Sequence, residues 1–196
     1  MSATGATAGV VLAAGAGRRF GGVKQLALYD GEPLVRRACR IALAAGLSPV
    51  IVVLGAHADS VAAAIAELPV ELLHNPRWAD GMGTSVACAA AALLPRPAVD
   101  DLALLLADQP DVTAEHVRDL CALRRRTASA VAATDAGVAI GPPAVFARDL
   151  FAALTALGGD RGARELIAAT AARVVLPFAP AAHDIDVAAD LSCACR

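Results

Sequence analysis

Residues 10–24 read VVLAAGAGRRFGGVK, an apolar, β-branched run that passes into a loop rich in glycine and cationic side chains. A continuous apolar run predicts a strand that is covered on both faces, as in a parallel sheet. Gly15 and Gly17 let the backbone approach a ligand closely and turn its N–H groups toward an anion. Arg19 and Lys24 add cationic donors at the same rim. The segment therefore predicts phosphate binding directly after the first strand.

Two familiar glycine motifs do not fit this loop. Phe20 stands where the dinucleotide-binding fingerprint has its third glycine, and no Gly-Lys-Ser/Thr of a P-loop follows. For the glycines alone, a plain turn with surface cations is the simpler interpretation. The positions of the two cations after the strand favour phosphate binding.

Along the chain, apolar β-branched runs alternate with longer stretches of alanine and leucine at helical spacing. Strands are predicted at Gly9–Ala13, Pro49–Leu54, Val70–His74, Leu102–Ala107, Ala128–Ala133 and Val174–Pro177. Helices are predicted at Pro33–Ala45, Asp59–Glu67, Gly83–Leu94, Thr113–Arg126, Arg148–Leu157 and Ala163–Ala171. The alternation predicts a three-layer, Rossmann-like α/β fold with a mostly parallel central sheet. We expect a flexible N-terminus (1–7), a single domain (8–191) and a C-terminal tail (192–196).

In such sheets, ligands bind beyond the carboxyl ends of the strands. Four segments with glycine or polar residues are predicted as loops at that edge: Ala14–Lys24, Asn75–Ser85, Asp108–Asp111 and Gly141–Pro143. We expect these loops to converge on one site.

Composition excludes several other classes of protein. The 196 residues carry 17 Lys+Arg against 19 Asp+Glu, a net charge of −2, which gives no basic face for nucleic acid. The mean hydropathy of +0.58 raises the question of a membrane span, but no apolar run approaches the roughly 20 residues needed. No Lys or Arg precedes Arg18, so the charged start of a signal peptide is missing. Five cysteines without metal spacing predict a reducing cytoplasm, with a metal or redox role for Cys193 and Cys195 as the weaker interpretation.

Carboxylates after predicted strands are candidate metal ligands. Asp108 follows an apolar strand, where its side chain can hold Mg²⁺ together with substrate phosphates. Alternatively, Asp108 forms the turn before Pro110. Asp184 and Asp186 point to the same face of an extended chain and repel unless a cation or solvent intervenes. An acidic surface strand is the alternative for that pair.

Two further segments precede predicted helices. Small residues at the start of the helix near Gly83 can admit a flat base edge-on, although simple capping by Thr84 or Ser85 also explains them. Asp160, Arg161 and Arg164 lie in a mixed-charge turn that could meet an anionic acceptor or cap the helix that follows.

Several of these motifs resemble those of the nucleotidyltransferases of molybdenum cofactor biosynthesis. The first loop is similar to their signature Leu-Ala-Ala-Gly-x-Gly-x-Arg-Phe-Gly-x-x-Lys, in which Phe20 replaces the usual methionine. Asp-x-Pro at 108–110, Gly-Met-x-x-Ser at 81–85, Gly-Asp-x-Gly-Ala-Arg at 159–164 and Asp-Ile-Asp at 184–186 follow in family order. Leu-Ala-Ala-Gly and Asp-Ile-Asp resemble the cytidylyl branch.

The resemblance implies transfer of CMP from CTP to the phosphate of molybdenum-molybdopterin, with release of pyrophosphate. It implies catalysis by Lys24, Arg19 and Asp108, and Mg²⁺ held by Asp108 and Asp186, with Asp184 close behind. Nucleotide contacts are implied at Leu12, Ala13, Ala14, Gly15, Gly17, Arg19, Lys24, Gly83, Thr84, Ser85 and Asp108. Acceptor contacts are implied at Gln109, Gly141, Pro143, Asp160, Arg161 and Arg164. A molybdoenzyme of the xanthine dehydrogenase type is implied as a further partner.

One position departs from the family pattern. Pro142 stands where similar proteins have the histidine of Gly-His-Pro, so a side-chain donor toward the acceptor is lost. Three alternatives stay open: a nucleotidyltransferase that uses GTP or another phosphorylated acceptor, an NAD(P)H-dependent oxidoreductase acting on a nicotine-derived pigment, and a non-catalytic carrier of the cofactor.

Overall fold

The computed structural model describes residues 5–160 and 162–194, without the side chains of 192–194. Its strands are β1 (Ala6–Leu12), β2 (Leu28–Tyr29), β3 (Glu32–Pro33), β4 (Val50–Leu54), β5 (Glu71–His74), β6 (Val99–Leu106), β7 (Val131–Asp135), β8 (Ile140–Ala147) and β9 (Arg173–Pro177). Its α-helices are α1 (Leu34–Ala44), α2 (Ala58–Ala64), α3 (Met82–Leu93), α4 (Ala114–Thr127), α5 (Phe151–Thr155) and α6 (Ala163–Ala169). Short 3₁₀ turns cover Lys24–Leu26, Trp78–Asp80, Arg148–Leu150, Ala179–Ala182 and Ala188–Ala194.

Seven of these strands form one sheet in the order β5-β4-β1-β6-β8-β7-β9, and β2 pairs with β3 in a separate small hairpin. The pairs β1–β4, β1–β6, β4–β5 and β7–β9 are parallel, whereas β8 runs antiparallel to β6 and β7. The predicted mostly parallel sheet is confirmed. The strand order changes direction between β1 and β6, which is where ligands bind in open α/β sheets.

Alternating side chains of β1 explain the three layers. Val11 points into a cluster with α1, α2 and α4, and Val10 points into a cluster with α3, α5 and α6. Both valines are fully buried, so each face of the strand needs its own layer of helices. None of the helices in the described ranges is long and apolar enough to cross a membrane.

The described ends of the chain differ from the predicted boundaries. β1 begins at Ala6, which pairs with Val99, and Thr7 is buried, so a flexible N-terminus extending to residue 7 is wrong for these two residues. At the other end, the turn Ala188–Ala194 crosses the predicted tail boundary at residue 192. The side chain of Cys193 and all of Cys195 lie outside the described residues, so their predicted roles stay predictions.

The prediction of a loop at Gly141–Pro143 is wrong, because these residues belong to β8. The pairing with β7 jumps from Ala133↔Ala144 to Thr134↔Gly141, which leaves the two prolines opposite no partner. Proline has no N–H to give to a sheet, so prolines inside a strand occur at edges or at such irregularities. The bulge accommodates them while the flanking apolar residues keep their places in the sheet.

Buried His116 makes folding stability depend on pH. Its ring stacks on Phe178 at 4.1 Å between centroids, and its Nε2 lies 2.8 Å from the Thr134 hydroxyl oxygen. That hydroxyl donates to the carbonyl of Pro143, so Nε2 must carry the proton of the neutral ring. Burial lowers the pKa of His116 from 6.5 to about 4, with a smaller opposing effect of Asp119.

We expect His116 to destabilise the fold as pH falls below its unfolded pKa. The unfolded chain binds the proton near pH 6.5 and the folded chain only near pH 4, so the stabilisation is complete above the first value and declines toward the second. Between neutral and mildly acidic pH the loss amounts to roughly 2 kcal/mol. Urea unfolding at a series of pH values should show this slope in the wild type and lose it in His116→Gln. Identical slopes in both proteins would contradict the assignment.

Candidate active site

A cavity of about 720 Å³ opens at the carboxyl ends of β1 and β6. The residues after β1, the segment after β6, the start of α3 and the turn before α6 all border it. The loops at 14–24, 75–85 and 108–111 therefore converge as predicted from the topology. The fourth predicted element contributes only Pro142, from strand β8.

The first loop presents backbone to the cavity. Of the residues predicted to bind nucleotide there, the following border the cavity: Leu12, Ala13, Ala14, Gly15, Gly17, Arg19 and Lys24. Gly17 has a φ of +61°, and a Cβ there would lie 2.6 Å from the carbonyl oxygen of Gly22. This close return of the chain requires glycine and brings Lys24 back beside the loop.

Gln25 fixes the shape of this loop, a role that the sequence analysis missed. Its side chain is buried, and its Nε2 donates to the carbonyl oxygens of Ala13 at 2.9 Å and Gly15 at 2.6 Å. Since those carbonyls point away toward Gln25, the loop is held in one conformation. A buried amide directly after Lys24 has no local sequence signal that distinguishes it from a surface residue.

The predicted cations and carboxylates lie together and form ion pairs. Lys24 Nζ is 2.6 Å from Asp108 Oδ2 and 3.5 Å from Asp186 Oδ1. Arg19 makes a bidentate pair with Asp186 at 3.0 and 3.2 Å. The Lys24 side chain is only 19% exposed, whereas Arg19 is 76% exposed. Lys24 is therefore the cation held between two carboxylates, and Arg19 is an exposed group at the rim.

Asp184 borders the cavity beside this network. Its Oδ1 is buried and has no hydrogen-bond partner among the residues that the structure describes. Burial raises the pKa of Asp184, the charge of Asp108 adds to this increase, and Gln109 and Arg164 oppose it. A buried oxygen of this kind is suited to accept a proton or a cation.

The three carboxylates provide the oxygen ligands that Mg²⁺ prefers. Asp108, Asp184 and Asp186 all border the cavity, and Asp184 brings the orphaned oxygen. Within the described part of the chain, no group of three or more His, Cys, Asp or Glu residues is already spaced to hold a metal ion. The donor chemistry therefore fits Mg²⁺, while Lys24 and Arg19 now neutralise two of the carboxylates.

The start of α3 is held by a buried polar cluster. Asn75 Nδ2 donates to Thr84 Oγ1 and Ser85 Oγ, both at 3.0 Å. The N–H of Gly83 donates to the carbonyl of Gly159 at 3.0 Å, which joins this helix to the turn before α6. Of the three predicted nucleotide contacts here, Ser85 borders the cavity, whereas Gly83 and Thr84 do not.

Some of the predicted acceptor residues also border the cavity and others do not. Asp160 and Arg164 border the cavity. Gly141 lies under the Arg164 side chain, since a Cβ at Gly141 would be 2.8 Å from Arg164 Nε. Two others turn away from the cavity: the carbonyl of Pro143 accepts from Thr134, and Gln109 is 4% exposed with its Nε2 on the carbonyl of Ala181. Arg161 lies outside the described residues.

A second hydrogen-bond network joins the segments that carry the carboxylates, and it was not predicted from the sequence. Asp111 Oδ1 accepts from the hydroxyl of Tyr29 at 2.6 Å, and Asp111 Oδ2 lies 2.7 Å from His183 Nδ1. Burial raises the pKa of Asp111, but the two hydrogen bonds, together with the electrostatic effects of His183 and Arg37, outweigh burial and lower that pKa. Burial first, and then the bond to Asp111, raise the pKa of Tyr29 to about 12. Asp111 is therefore a charged acceptor between two donors.

Known proteins share both the family motifs and the fold. Residues 9–174 match the MobA-like NTP transferase domain. Nicotine blue oxidoreductase of Paenarthrobacter nicotinovorans is 34% identical over 163 residues, 80% of this chain and 78% of the relative. The purine catabolism protein PucB of Bacillus subtilis (strain 168) is 32% identical over 171 residues, 81% of this chain and 79% of the relative.

A solved structure extends the likeness to nearly the whole chain. The crystal structure of Rv0371c from Mycobacterium tuberculosis H37Rv superposes with a TM-score of 0.83 at 26% identity and covers 97% of both chains. Another crystal structure of that protein is a complex with manganese. The family resemblance of the sequence motifs is confirmed: the chain belongs to the MobA-like NTP transferase domain family and is a nucleotidyltransferase by that membership.

Proposed function

We propose that the protein transfers CMP from CTP to the phosphate of molybdenum-molybdopterin and releases pyrophosphate. The observation that carries the proposal is the pairing of Lys24 with Asp108 and Asp186 directly beside the glycine loop after β1. A cation that can exchange carboxylates for phosphates, next to a glycine loop whose backbone borders the cavity, is what a triphosphate site needs. Leu-Ala-Ala-Gly and Asp-Ile-Asp support the cytidylyl branch by resemblance.

The chemistry requires positioning and charge rather than a protein nucleophile. An oxygen of the acceptor phosphate attacks the α-phosphorus of CTP, a new P–O bond forms, and the bond from the α-phosphorus to the bridging oxygen breaks. Pyrophosphate leaves with that oxygen. Lys24 turns from the carboxylates to the triphosphate, and Arg19 follows from the rim. Both cations stabilise charge that develops on the departing group.

Asp108 and Asp186, with Asp184, are the residues that would hold Mg²⁺. The ion would neutralise phosphate oxygens in the transition state when it is bound. Asp108 and Asp186 lose Lys24 as a partner when it turns to the phosphates, so their charges become available together. The manganese complex of Rv0371c is consistent with a divalent ion in a protein of this fold.

On the acceptor side, Arg164 and Asp160 border the cavity opposite the glycine loop. Arg164 is exposed and provides a guanidinium for an anionic acceptor group. Pro142 adds an apolar surface where the family histidine would donate a hydrogen bond. We propose that Arg164 takes over anion binding from that histidine. Delivery of the finished cofactor to a molybdoenzyme of the xanthine dehydrogenase type completes the proposal.

A nucleotide screen tests the proposal directly. We expect calorimetric titration with CTP, GTP, ATP and UTP, each with Mg²⁺, to show the tightest binding for CTP. The physical reason is that a cytosine-specific pocket must hydrogen-bond the base edge, and a mismatched base leaves those polar groups unpaired. Tightest binding of GTP would move the protein to a guanylyl transfer, and failure to bind any nucleotide would contradict a transferase role.

The likeness to nicotine blue oxidoreductase favours one second candidate, an NAD(P)H-dependent reduction of a nicotine-derived pigment. In that reaction, a hydride would pass from the nicotinamide to the pigment, and Pro142 would contribute to an apolar wall for the flat ring. The two functions separate in one assay. Loss of nicotinamide absorbance with such a pigment, without release of pyrophosphate from CTP, would support the oxidoreductase.

A further inference from the structure

The carboxylates Asp184 and Asp186 are carried by a segment, residues 181–186, that we call the strap. It crosses the loop at residues 108–111, which we call the DQPD loop. Along the strap, even-numbered and odd-numbered residues make different contacts. Asp184 and Asp186 border the cavity, whereas Ala181, His183 and Ile185 contact the DQPD loop.

Three hydrogen bonds tie those odd-numbered positions to the loop. Gln109 Nε2 donates to the carbonyl of Ala181 at 3.0 Å. His183 Nδ1 lies 2.7 Å from Asp111 Oδ2, and the N–H of Ile185 donates to the carbonyl of Asp108 at 2.9 Å. Ile185 is fully buried, which adds a hydrophobic anchor at the same end. The loop that carries one candidate metal ligand thus holds the segment that carries the other two.

The DQPD loop is itself held in place by further contacts. Asp111 Oδ1 accepts from buried Tyr29, whose ring packs with Leu34 and Ile185. Arg37 Nε donates to the carbonyl of Pro110 at 2.6 Å, and its guanidinium lies 5.1 Å from the centre of the Tyr29 ring. The hairpin of β2 and β3 and the helix α1 therefore support the DQPD loop from behind.

We propose that Gln109 and Asp111 are positioning residues that set the register of the strap and so direct Asp184 and Asp186 into the cavity. The strap leaves the 3₁₀ turn Ala179–Ala182 at His183, whose backbone is extended, and in an extended segment a slip of one residue turns every side chain to the opposite face. Such a slip would bring His183 and Ile185 to the cavity and remove both carboxylates. Because the carboxylate of Asp111 accepts, His183 donates from Nδ1 in this bond.

The metal part of this inference rests on the proposed function, whereas the register of the strap does not. The test therefore uses two readouts on the full-length protein. Binding of Mn²⁺, alone and with CTP, is measured by electron paramagnetic resonance. Hydrogen exchange at the amide of Ile185 is measured without metal or nucleotide.

Asp111→Ala is expected to weaken Mn²⁺ binding about 10- to 100-fold, the usual effect of removing a group that orients metal ligands. It is also expected to speed exchange at the Ile185 amide. His183→Ala should act in the same direction. His183→Asn should restore part of the affinity, because its Nδ2–H can replace the Nδ1–H of histidine. Rescue by this conservative change is not expected from a general loss of packing.

Glu71→Ala is the matched control, since it breaks a bidentate ion pair with Arg96, at 3.0 and 2.7 Å, outside the cavity. It should leave Mn²⁺ affinity and Ile185 exchange unchanged. Wild-type Mn²⁺ affinity in Asp111→Ala, or unchanged exchange at Ile185, overturns the proposal. If Ile185 responds as expected but the wild type binds neither Mn²⁺ nor CTP, the register of the strap stands and the proposed function fails.

Discussion

Asp108→Asn is expected to lower pyrophosphate release by at least about 100-fold, the range seen when one charge-stabilising group is removed from a transition state. Asparagine keeps the size of the side chain and one acceptor oxygen but removes its charge. Asp108 lies two residues after the end of β6, borders the cavity and lies 2.6 Å from Lys24 Nζ. The change therefore alters a candidate metal ligand and removes the charged partner of Lys24, while the packing of β6 remains. Single-turnover assays with CTP and the acceptor measure the effect.

The control for this prediction lies at the other end of the same strand. Asp100 accepts from the N–H of Gly5 at 2.7 Å, far along β6 from the cavity, and asparagine can still accept that hydrogen bond. Asp100→Asn should therefore release pyrophosphate at the wild-type rate. Urea unfolding of both variants checks that the fold is intact. An Asp108→Asn protein with wild-type turnover would remove Asp108 from the mechanism.

Local patterns were sufficient for the central strands β1, β4 and β6 because each of them contains a continuous apolar and buried run. The continuous apolar run of β1 predicts helices on both faces, and Val10 and Val11 are indeed buried in opposite layers. The same reasoning fails for β8, where Gly141, Pro142 and Pro143 read as a loop. Only the pairing with β7 reveals a bulge that removes both prolines from the hydrogen-bond ladder. The separate hairpin of β2 and β3 was missed because its strands have two residues each.

Residues of the candidate site were predictable where their position relative to a strand decides which edge of the sheet they reach. Asp108 lies two residues after β6, so the parallel topology brings it to the ligand-binding edge, and the return of the chain at Gly17 brings Lys24 to the same place. Gln109 was expected at the acceptor, but neighbouring side chains leave the chain in different directions, and Gln109 is buried against Ala181. Asp111 and His183 are 72 residues apart in the sequence, and their hydrogen bond joins the DQPD loop to the strap. No local sequence pattern predicts a contact at that separation.

Lys24→Ala is expected to have two opposite effects, and together they test the exchange of partners at the centre of the mechanism. Lys24 Nζ lies 2.6 Å from Asp108 and 3.5 Å from Asp186, in a side chain that is 19% exposed. Without this cation the triphosphate and the departing pyrophosphate lose a charged donor, so CMP transfer should fall by at least about 100-fold. Without nucleotide, however, the two carboxylates lose their internal counter-ion.

Affinity for Mn²⁺ alone should therefore rise by at least about tenfold in Lys24→Ala, since a unit charge at this distance is worth more than 1 kcal/mol at a partly screened site. Arg40→Ala removes a cation that pairs with Glu32 away from the cavity, and it should change neither quantity. A general loss of structure would weaken metal binding and catalysis together. Opposite changes can arise only if one side chain neutralises the carboxylates in the free protein and the phosphates in the complex. Reduced transfer with unchanged or weaker Mn²⁺ binding would show that Lys24 does not exchange partners.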